Sequence, residues 1–550
     1  MIFKNIVKGD CFIVKIFNFR KGKASYLVLF ICCILVLSAC GSEEASKDGN
    51  SKNSQEDGTQ SLTIALGHGL DYLGLDPYGS GRENTALRTV VFEPLALETS
   101  TGQFESALAE SWTVNDAGTV WTFNLRKNVL FHDGTPFNSS AVAAAFNHYM
   151  ADPEMSRRLG IENIETPDDS TVIFTLKRPF APFLNIVGSF QCVIPSPTSF
   201  DEARKMTKPI GTGPFVLQNQ SKEKVEFIAN ENHWREKPNL DELNVVYIAD
   251  PATMVLALES GEVDLIGADG YGIPQSEIKR LQGNKDLNVV ANQDSGSMEW
   301  LGFNINKGLL SDINVRKAIN YAIDRQEITD YVFEGFATPA VGPIGFNQSI
   351  PWVDTTIKGY QHDQDKAKQL LAEAGWKDTN KDGYLVKEGQ VLELTLLVGG
   401  DRTWKPMAEA MQNQLAEVGV KINLELRDDS VIRDLTKKGE FDMVGLGSIG
   451  KSLSDPYYFF QYYFTSRGLG AIVTNHAKLD ELVAKVVSTT DKEQRSEIYN
   501  EIQQEIMNLT PGAFISHPER VTIMKNGIEG WDFSGTMDPL RFAYKVTIEE

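Results

Sequence analysis

Cysteine and histidine are scarce in this sequence, and both shortages restrict its chemistry. Only five cysteines occur in 550 residues, and Cys11, Cys32 and Cys33 precede residue 40. If Cys40 carries a lipid, Cys192 is the one thiol left in the body, so no intramolecular disulfide can form. Cys192 lies in an apolar stretch and is expected to be a small buried hydrophobe. The seven histidines are scattered, and none has the i, i+4 spacing of a helical zinc motif.

Basic residues are outnumbered by acidic ones, which limits the partners of the protein. The chain has 53 Lys and Arg against 74 Asp and Glu, a formal net charge of −21. Such an acidic body repels a phosphate backbone, so we expect no nucleic-acid partner. The composition, 42% hydrophobic and 23% charged, is that of an ordinary globular protein.

Familiar catalytic motifs are missing as well. The sequence contains no Gly-x-Gly-x-x-Gly opening a helix, no P-loop, no His-Glu-x-x-His and no Gly-x-Ser-x-Gly. Ser448-Ile449-Gly450-Lys451 matches Ser-x-x-Lys, but the Lys-Thr-Gly and Ser-Asp-Asn motifs that accompany it in acyl-serine enzymes are absent. We therefore expect a protein without a cofactor that is not an enzyme, and a hydrolase is the least favoured interpretation.

The N-terminus has the pattern of an export signal. Residues 1–24 carry six basic residues and one acid, and an apolar run of 12 residues follows, from Tyr26 to Leu37. That run is too short to span a hydrocarbon core about 30 Å thick. Leu37-Ser38-Ala39-Cys40 looks like a bacterial lipobox, which predicts a signal peptide over 1–39 and a lipid on Cys40. The alternative is a signal anchor with a chance cysteine. Residues 40–61 would form a flexible acidic tether, leaving the body extracytoplasmic and lipid-anchored to the bacterial cell membrane.

The remaining chain is too long for one hydrophobic core, since cores stop growing near about 250–300 residues. Alternation of apolar and polar residues, or short apolar runs, predict strands at 62–66, 120–125, 171–176, 243–248, 392–398, 421–426 and 441–446. A period near 3.6 predicts helices at 139–150, 315–322, 363–374, 404–418, 478–487 and 492–507, the first capped near Ser139 or Ser140. Interleaved strands and helices indicate an α/β architecture with two or three lobes.

An ordered series of short motifs runs through this body. In chain order they are Phe92-Glu93-Pro94-Leu95, Leu108-Ala109-Glu110-Ser111-Trp112, Trp121-Thr122-Phe123-Asn124-Leu125-Arg126, Phe131-His132-Asp133-Gly134-Thr135-Pro136-Phe137, Gly211-Thr212-Gly213-Pro214-Phe215, Asn230-Glu231-Asn232-His233-Trp234, Lys237-Pro238, Gly261-Glu262-Val263-Asp264, Val315 to Asp324, Ala367 to Trp376, and Asp455-Pro456. Most of them predict structure. Gly211 and Gly213, for example, are expected in a strand-entry turn that uses the tolerance of glycine for positive φ.

In order and spacing, the series resembles the extracellular solute-binding proteins of the peptide and nickel ABC importers (family 5), over about residues 62–545. The resemblance implies a two-lobed, periplasmic-binding-protein-like clam of the three-domain class, with the ligand cleft between the lobes. It also implies domain I from 62–95, 206–300 and 516–550, domain II from 96–205, and domain III from 301–515. The partners would be a small solute and a membrane complex of ABC permease and ATPase.

The resemblance leaves the solute open between a short peptide and a nickel or other metal chelate. Spacing is nearer the nickel and metallophore branch, whereas peptide binders usually carry an acid at the position of Ser452. The residues proposed to line the cleft are Arg157, Arg158, Arg402, Trp404, His68, Tyr457 and Tyr458, and His68 is also the candidate metal ligand. Arginine offers a bidentate fork to a carboxylate. Solvated arginines, a tyrosine run packed in the core and a plain loop histidine are the structural alternatives.

Two further alternatives remain. Asp378-Thr379-Asn380-Lys381-Asp382-Gly383 begins like a calcium loop, but Gly389 stands where a bidentate Glu is required, so a polar hairpin turn is favoured. At the level of function, an exported lipoprotein with a signalling or chaperone-like role and no transport partner is the alternative to an importer component.

Overall fold

The computed structural model describes residues 58–67, 75–78, 85–99, 103–268, 273–292, 297–345, 352–400, 403–449, 455–468, 470, 472–473, 475–531 and 540–549. The predicted signal peptide, the lipidation site Cys40 and most of the predicted tether lie outside these residues. His68, Arg402 and Ser452 lie outside them too. Within these ranges, no helix has both the length and the apolarity required to cross a membrane.

Strands and helices alternate through most of the described chain. The strands are β1 Ser61–Leu66, β2 Ala96–Glu98, β3 Phe104–Ser106, β4 Ala109–Val114, β5 Val120–Leu125, β6 Ile161–Asp168, β7 Thr171–Leu176, β8 Phe215–Gln220, β9 Lys224–Ala229, β10 Glu242–Tyr247, β11 Leu265–Ile266, β12 Leu287–Asn292, β13 Ser297–Phe303, β14 Ala337–Pro339, β15 Asp378–Thr379, β16 Leu385–Lys387, β17 Gln390–Val391, β18 Glu393–Val398, β19 Lys421–Leu426, β20 Met443–Ile449, β21 Gly512–Pro518, β22 Arg520–Lys525, β23 Ile528–Glu529 and β24 Thr547–Ile548. The helices are α1 Thr85–Val91, α2 Ser139–Tyr149, α3 Pro153–Leu159, α4 Phe183–Val187, α5 Pro251–Ser260, α6 Gln275–Leu281, α7 Ile313–Ala322, α8 Arg325–Val332, α9 Gln364–Glu373, α10 Trp404–Glu417, α11 Asp429–Lys438, α12 Tyr457–Tyr463, α13 Ala477–Ser488 and α14 Lys492–Leu509.

The strands and helices predicted from sequence periodicity are confirmed, with ends displaced by a few residues at most. The N-cap of α2 lies one residue before Ser139. The side chain of Asn138, rather than of Ser139 or Ser140, accepts the hydrogen bond from the Ala141 N–H at 3.1 Å. Asparagine is as good a cap as serine, because its short side-chain oxygen reaches the same orphan amides.

A seven-stranded sheet forms the larger part of a first lobe, with strand order β12-β22-β11-β1-β10-β9-β8. β1 lies in the middle, parallel to β10 on one side and to β11 on the other. Leu62 and Ile64 belong to one apolar cluster and Ala65 to another. Since successive side chains of a strand point to opposite faces, the centre of this sheet is covered on both faces.

The first lobe also contains an antiparallel four-stranded sheet, β4-β5-β7-β6, packed against α2. In β5 and β7 every second residue is buried, and Phe123, Phe174 and Phe146 of α2 share one core. Cys192 belongs to the same cluster, and burial raises the pKa of its thiol to about 12. The expectation that Cys192 is a buried hydrophobe is confirmed.

The two sheets of the first lobe are joined where the backbone at Gly211 and Gly213 passes α1. A Cβ on Gly211 would collide with the carbonyl oxygen of Val91, and one on Gly213 would come within 2.6 Å of the same oxygen. Neither glycine has a positive φ. The sequence-based explanation for these glycines is therefore wrong: they allow a close backbone approach, sealed by a 2.9 Å hydrogen bond from the Gly213 N–H to the Val91 carbonyl.

A mixed six-stranded sheet, β14-β21-β13-β20-β18-β19, organises the second lobe, residues 297–518. Its strand β13 is buried throughout its second half, and its side chains alternate between two cores. Leu301 and Phe303 pack with α7, α9 and α10, whereas Met298 and Trp300 pack with α12, α13 and α14. Helices therefore cover both faces of this sheet as well.

The chain passes between the lobes at two adjacent points. One lies between Asn292, the last residue of β12 in the first lobe, and Ser297, the first residue of β13 in the second, and the other is Glu519, the single residue between β21 and β22. His517 Nδ1 lies 3.1 Å from the carbonyl oxygen of Ser297, which ties the two crossings together. Two short, neighbouring crossings are the connection that a hinge between lobes requires.

Candidate functional site

Four of the sequence-predicted site residues meet where the lobes face each other. Arg157 and Arg158 lie in the last turn of α3 in the first lobe, and Tyr457 and Tyr458 begin α12 in the second. The guanidinium carbon of Arg158 lies 5.3 Å from the centre of the Tyr458 ring, within the range of a cation–π contact. The structure therefore brings together residues separated by 300 positions in sequence.

The arginine helix α3 is short but fixed at both ends. The side chain of Asp152 accepts from the Met155 N–H at 2.8 Å, and Pro153 occupies the first turn. Gly160 ends the helix with φ +62°, a conformation that glycine adopts without strain. Both arginines thus lie at the negative end of the helix dipole, which favours cations.

Arg158 is further oriented by a neighbour in its own lobe. Its Nη2 donates to the side-chain oxygen of Gln191 at 2.7 Å. Gln191 follows Ser189, whose hydroxyl oxygen accepts from the Gln191 N–H and so caps that turn. The guanidinium is therefore held between an amide oxygen and an aromatic ring, and neither neutralises its charge.

The aromatic pair is positioned from within the second lobe by the Asp-Pro motif. Asp455 is 2% exposed, and its carboxylate accepts from the Tyr457 N–H at 3.0 Å. The same carboxylate forms an ion pair with Arg495 and accepts from the Tyr499 hydroxyl. Burial opposes the charge of Arg495, but the carboxylate of Asp455 keeps the arginine pKa above its ordinary value.

Positive charge collects around the aromatic pair. Burial raises the pKa of Tyr457, and the charges of Arg178 and Arg157 act in the opposite direction. Burial likewise raises the pKa of Tyr458 against the charge of Arg158. Within the part of the chain that the structure describes, none of these three arginines has a carboxylate within ion-pair distance. In an acidic protein, three neighbouring arginines that no described carboxylate pairs with are suited to an anion.

Arg178 was not among the site residues predicted from the sequence. It belongs to no family motif and follows the end of β7, at Lys177-Arg178-Pro179. It stands two residues after the last buried residue of a strand. Loops that follow strands often carry binding residues, and this position is the signal that could have identified Arg178.

The remaining predicted residues are placed differently. Trp404 is 3% exposed and belongs to the core of the second lobe, where a Cβ on Gly445 would come within 2.6 Å of its ring. A packing role explains Trp404 better than solute contact does. Of the seven aromatic residues between Tyr457 and Phe464, Phe459, Phe460 and Phe464 are buried in the core of the second lobe, and the four tyrosines are half-buried.

The calcium-like loop is a hairpin turn. Asp378–Thr379 pairs antiparallel with Leu385–Val386, and the side chain of Asn380 accepts from the Asp382 N–H at 3.0 Å and from the Tyr384 N–H at 2.9 Å. The favoured interpretation of this segment is confirmed. Across the described ranges, no three His, Cys, Asp or Glu side chains are grouped so that they could hold a metal ion.

Comparisons with known proteins give a consistent answer. The model of bacterial extracellular solute-binding proteins, family 5 Middle, matches residues 103–471. The nickel-binding periplasmic protein of Escherichia coli strain K12 is 29% identical over 433 residues, which cover 76% of this chain and 81% of that protein.

Solved structures resemble the whole body. NikA from Brucella suis, in complex with Fe(III)-EDTA, superposes with a TM-score of 0.79 at 26% identity, covering 89% of this chain and 100% of that one. The periplasmic binding protein DppA from Helicobacter pylori, in complex with the peptide STSA, gives a TM-score of 0.71 at 26% identity, covering 89% and 98%. The two lobes described above therefore form the α/β clam expected from the sequence.

Proposed function

Because the chain belongs to the bacterial extracellular solute-binding proteins of family 5, we propose that it binds a small carboxylate-bearing solute, a short peptide or a metal chelate, and delivers it to an ABC permease. It is a binding protein of a transport system and not an enzyme. The proposed binding place is the contact zone of the lobes at α3 and α12.

The observation that carries this proposal is the set of three arginines beside Tyr457 and Tyr458, none of which has an ion-pair partner in the described part of the chain. Arg157 and Arg178 are exposed and Arg158 is half-buried, so a solute can reach them. A guanidinium binds a carboxylate through two parallel hydrogen bonds, while tyrosine rings supply flat apolar surface and a hydroxyl.

The two related complexes share this chemistry. EDTA carries several carboxylates, and the peptide STSA ends in one. The sequence leaves the choice open between the peptide branch and the metal-chelate branch. A carboxylate-bearing solute is the class that both have in common.

The experiment is native mass spectrometry of the chain from residue 41 onward, combined with elemental analysis of the same sample. A transition metal bound with an organic acid supports the chelate, and masses of short peptides without metal support the peptide. The protein is then titrated with the Ni(II) complex of L-histidine and with the peptide STSA as probes. If neither is bound while a cationic solute is, the proposal is overturned.

Attachment to the membrane through a lipid on Cys40 is part of the same proposal and rests on the sequence Leu37-Ser38-Ala39-Cys40. Labelling of cells with a radioactive fatty acid should mark the wild-type protein and leave a Cys40→Ser variant unlabelled. Equal labelling of both would contradict the lipid anchor.

A further inference from the structure

One edge of the lobe interface is closed by protein groups alone. The backbone N–H of Ala181, in the first lobe, donates to the carbonyl oxygen of Val487, in α13 of the second lobe, at 2.8 Å. The ring of Phe180 meets the ring of Tyr457 edge to face, with 5.9 Å between centroids. Both contacts join the lobes without any solute group.

The hydrogen bond satisfies a group that the helix itself cannot. α13 ends at Ser488, and the last carbonyls of a helix have no partner within it. An amide from the opposite lobe supplies the partner for Val487. Separating the lobes would exchange this bond for one to water.

The apolar side of the contact is equally specific. Val487 is 6% exposed and packs in the core around Phe123 and Phe174, which belongs to the first lobe. Its neighbour Val486 is fully buried in the core of the second lobe. Adjacent residues of one helix are therefore divided between the two cores.

The backbone turn at Gly118 completes this edge. Gly118 has φ +67°, and a Cβ there would come within 3.2 Å of the Cγ2 of Thr490. The first lobe thus approaches the end of α13 closely on a second side.

We propose that Phe180, Ala181, Tyr457 and Val487 form a clasp that holds the lobes closed in the absence of solute. The clasp gives the free protein a populated closed form. Binding of the solute then supplies only part of the free energy that favours the closed form over the open form. This inference concerns the lobes alone and does not depend on which solute is bound.

The test measures the distance between the lobes without solute. Nitroxide labels on Glu165→Cys and Lys437→Cys place one exposed label on each lobe, and the native Cys192 is buried and does not react. Double electron–electron resonance on the mature protein, stripped of solute by partial unfolding and refolding, should show a population at the short distance. Val487→Ala and Phe180→Ala, tested separately, should each reduce that population about tenfold, as expected for the loss of two buried methyl groups or more.

The matched control is Val486→Ala, which removes the same methyl groups from the core of the second lobe. It should lower the melting temperature and leave the distance distribution unchanged. A wild-type protein found entirely at the long distance would overturn the clasp, and so would Val487→Ala and Phe180→Ala proteins that fold by near-UV circular dichroism and keep the wild-type distribution. Because no solute is added, failure of the proposed solute class leaves this result unaffected.

Discussion

The indole N–H of Trp234 donates to the carboxylate of Glu93 at 2.6 Å, although 141 residues separate the two. The hydroxyl of Thr212 donates to the same oxygen at 2.9 Å, and His233 Nε2 lies 3.4 Å from the other oxygen. Burial alone would raise the pKa of Glu93, but its hydrogen bonds with His233 and Trp234 outweigh burial and lower that pKa. Three of the sequence motifs therefore converge on one buried, charged carboxylate in the first lobe.

Replacing that carboxylate by an amide should weaken the first lobe. Glu93→Gln keeps the shape but removes the charge, so the donors of Thr212 and Trp234 lose part of their partner. We expect the free energy of unfolding to fall by roughly 2–4 kcal/mol, as measured by urea denaturation. Glu231 is an exposed residue of the motif that contains Trp234, and Glu231→Gln should change the free energy of unfolding by less than about 0.5 kcal/mol. Equal effects of the two substitutions would contradict this account.

The buried histidines predict a loss of stability in mild acid. Burial lowers the pKa of His132 and of His517 below the ordinary value of 6.5, although hydrogen bonds with the carbonyls of Gly213 and Ser297 act the other way. As the pH falls below 6.5, the unfolded chain therefore takes up protons that the folded protein does not, and the free energy of unfolding decreases.

The measurement is urea denaturation at pH 7.5, 6.5 and 5.5. Wild-type protein should be most stable at pH 7.5, and His132→Gln should show a smaller decrease between 7.5 and 5.5 because it removes one of the buried groups. A free energy of unfolding that stays constant or rises toward pH 5.5 would show that these histidines are not held neutral.

The ion pair of Asp455 and Arg495 should contribute more to stability than surface pairs do. Asp455 is 2% and Arg495 7% exposed, so Arg495→Leu leaves a buried carboxylate with its main partner gone. We expect a loss of about 3–5 kcal/mol in the free energy of unfolding. Tyr499→Phe removes one hydrogen bond to the same carboxylate and should cost about 1 kcal/mol.

The comparison for this pair is Lys438→Ala. Lys438 pairs with Asp434 at 2.7 Å on the exposed face of α11, where solvent and salt screen the interaction. That substitution should leave the denaturation midpoint nearly unchanged. If Arg495→Leu were as mild as Lys438→Ala, the Asp-Pro motif would not be anchored through Arg495.

Sequence periodicity and family resemblance were sufficient for the fold, and they also named four residues of the candidate site, whose role in binding stays a prediction. Alternation in β5 and β7 reports one buried face directly, so those strands were predicted with their observed ends. A glycine can be required by a positive φ or by a close backbone approach, and the sequence does not show which of the two applies. At Gly211 only the position of Val91 in the structure shows that the close approach is the reason. The division of the body into three domains stays a prediction.

Arg178 and Trp404 show why the residues of the candidate site could be only partly predicted from the sequence. Arg178 comes near Tyr457 because strands pair in the first lobe and the two lobes are in contact. The residues next to Arg178 in the sequence indicate neither arrangement. Trp404 begins a helix after a strand, as a residue facing a cleft would, yet its ring packs inward because Gly445 leaves room for it. Contacts between distant segments decided both cases.

Solute affinity provides the last prediction. Arg158→Ala removes a guanidinium that is held by Gln191 and Tyr458 and has no carboxylate partner among the residues that the structure describes. Binding of STSA or of the Ni(II) complex of L-histidine should weaken about ten- to a hundredfold, because a charged hydrogen-bond partner of the carboxylate is lost. Calorimetric titration measures this, with Arg433→Ala, an exposed arginine on α11, as the control.

Rising ionic strength should reduce the wild-type affinity more than that of Arg158→Ala, since screening acts on a charge that the variant no longer has. If Arg158→Ala and Arg433→Ala bound the probes equally, the carboxylate would have to be placed elsewhere between the lobes.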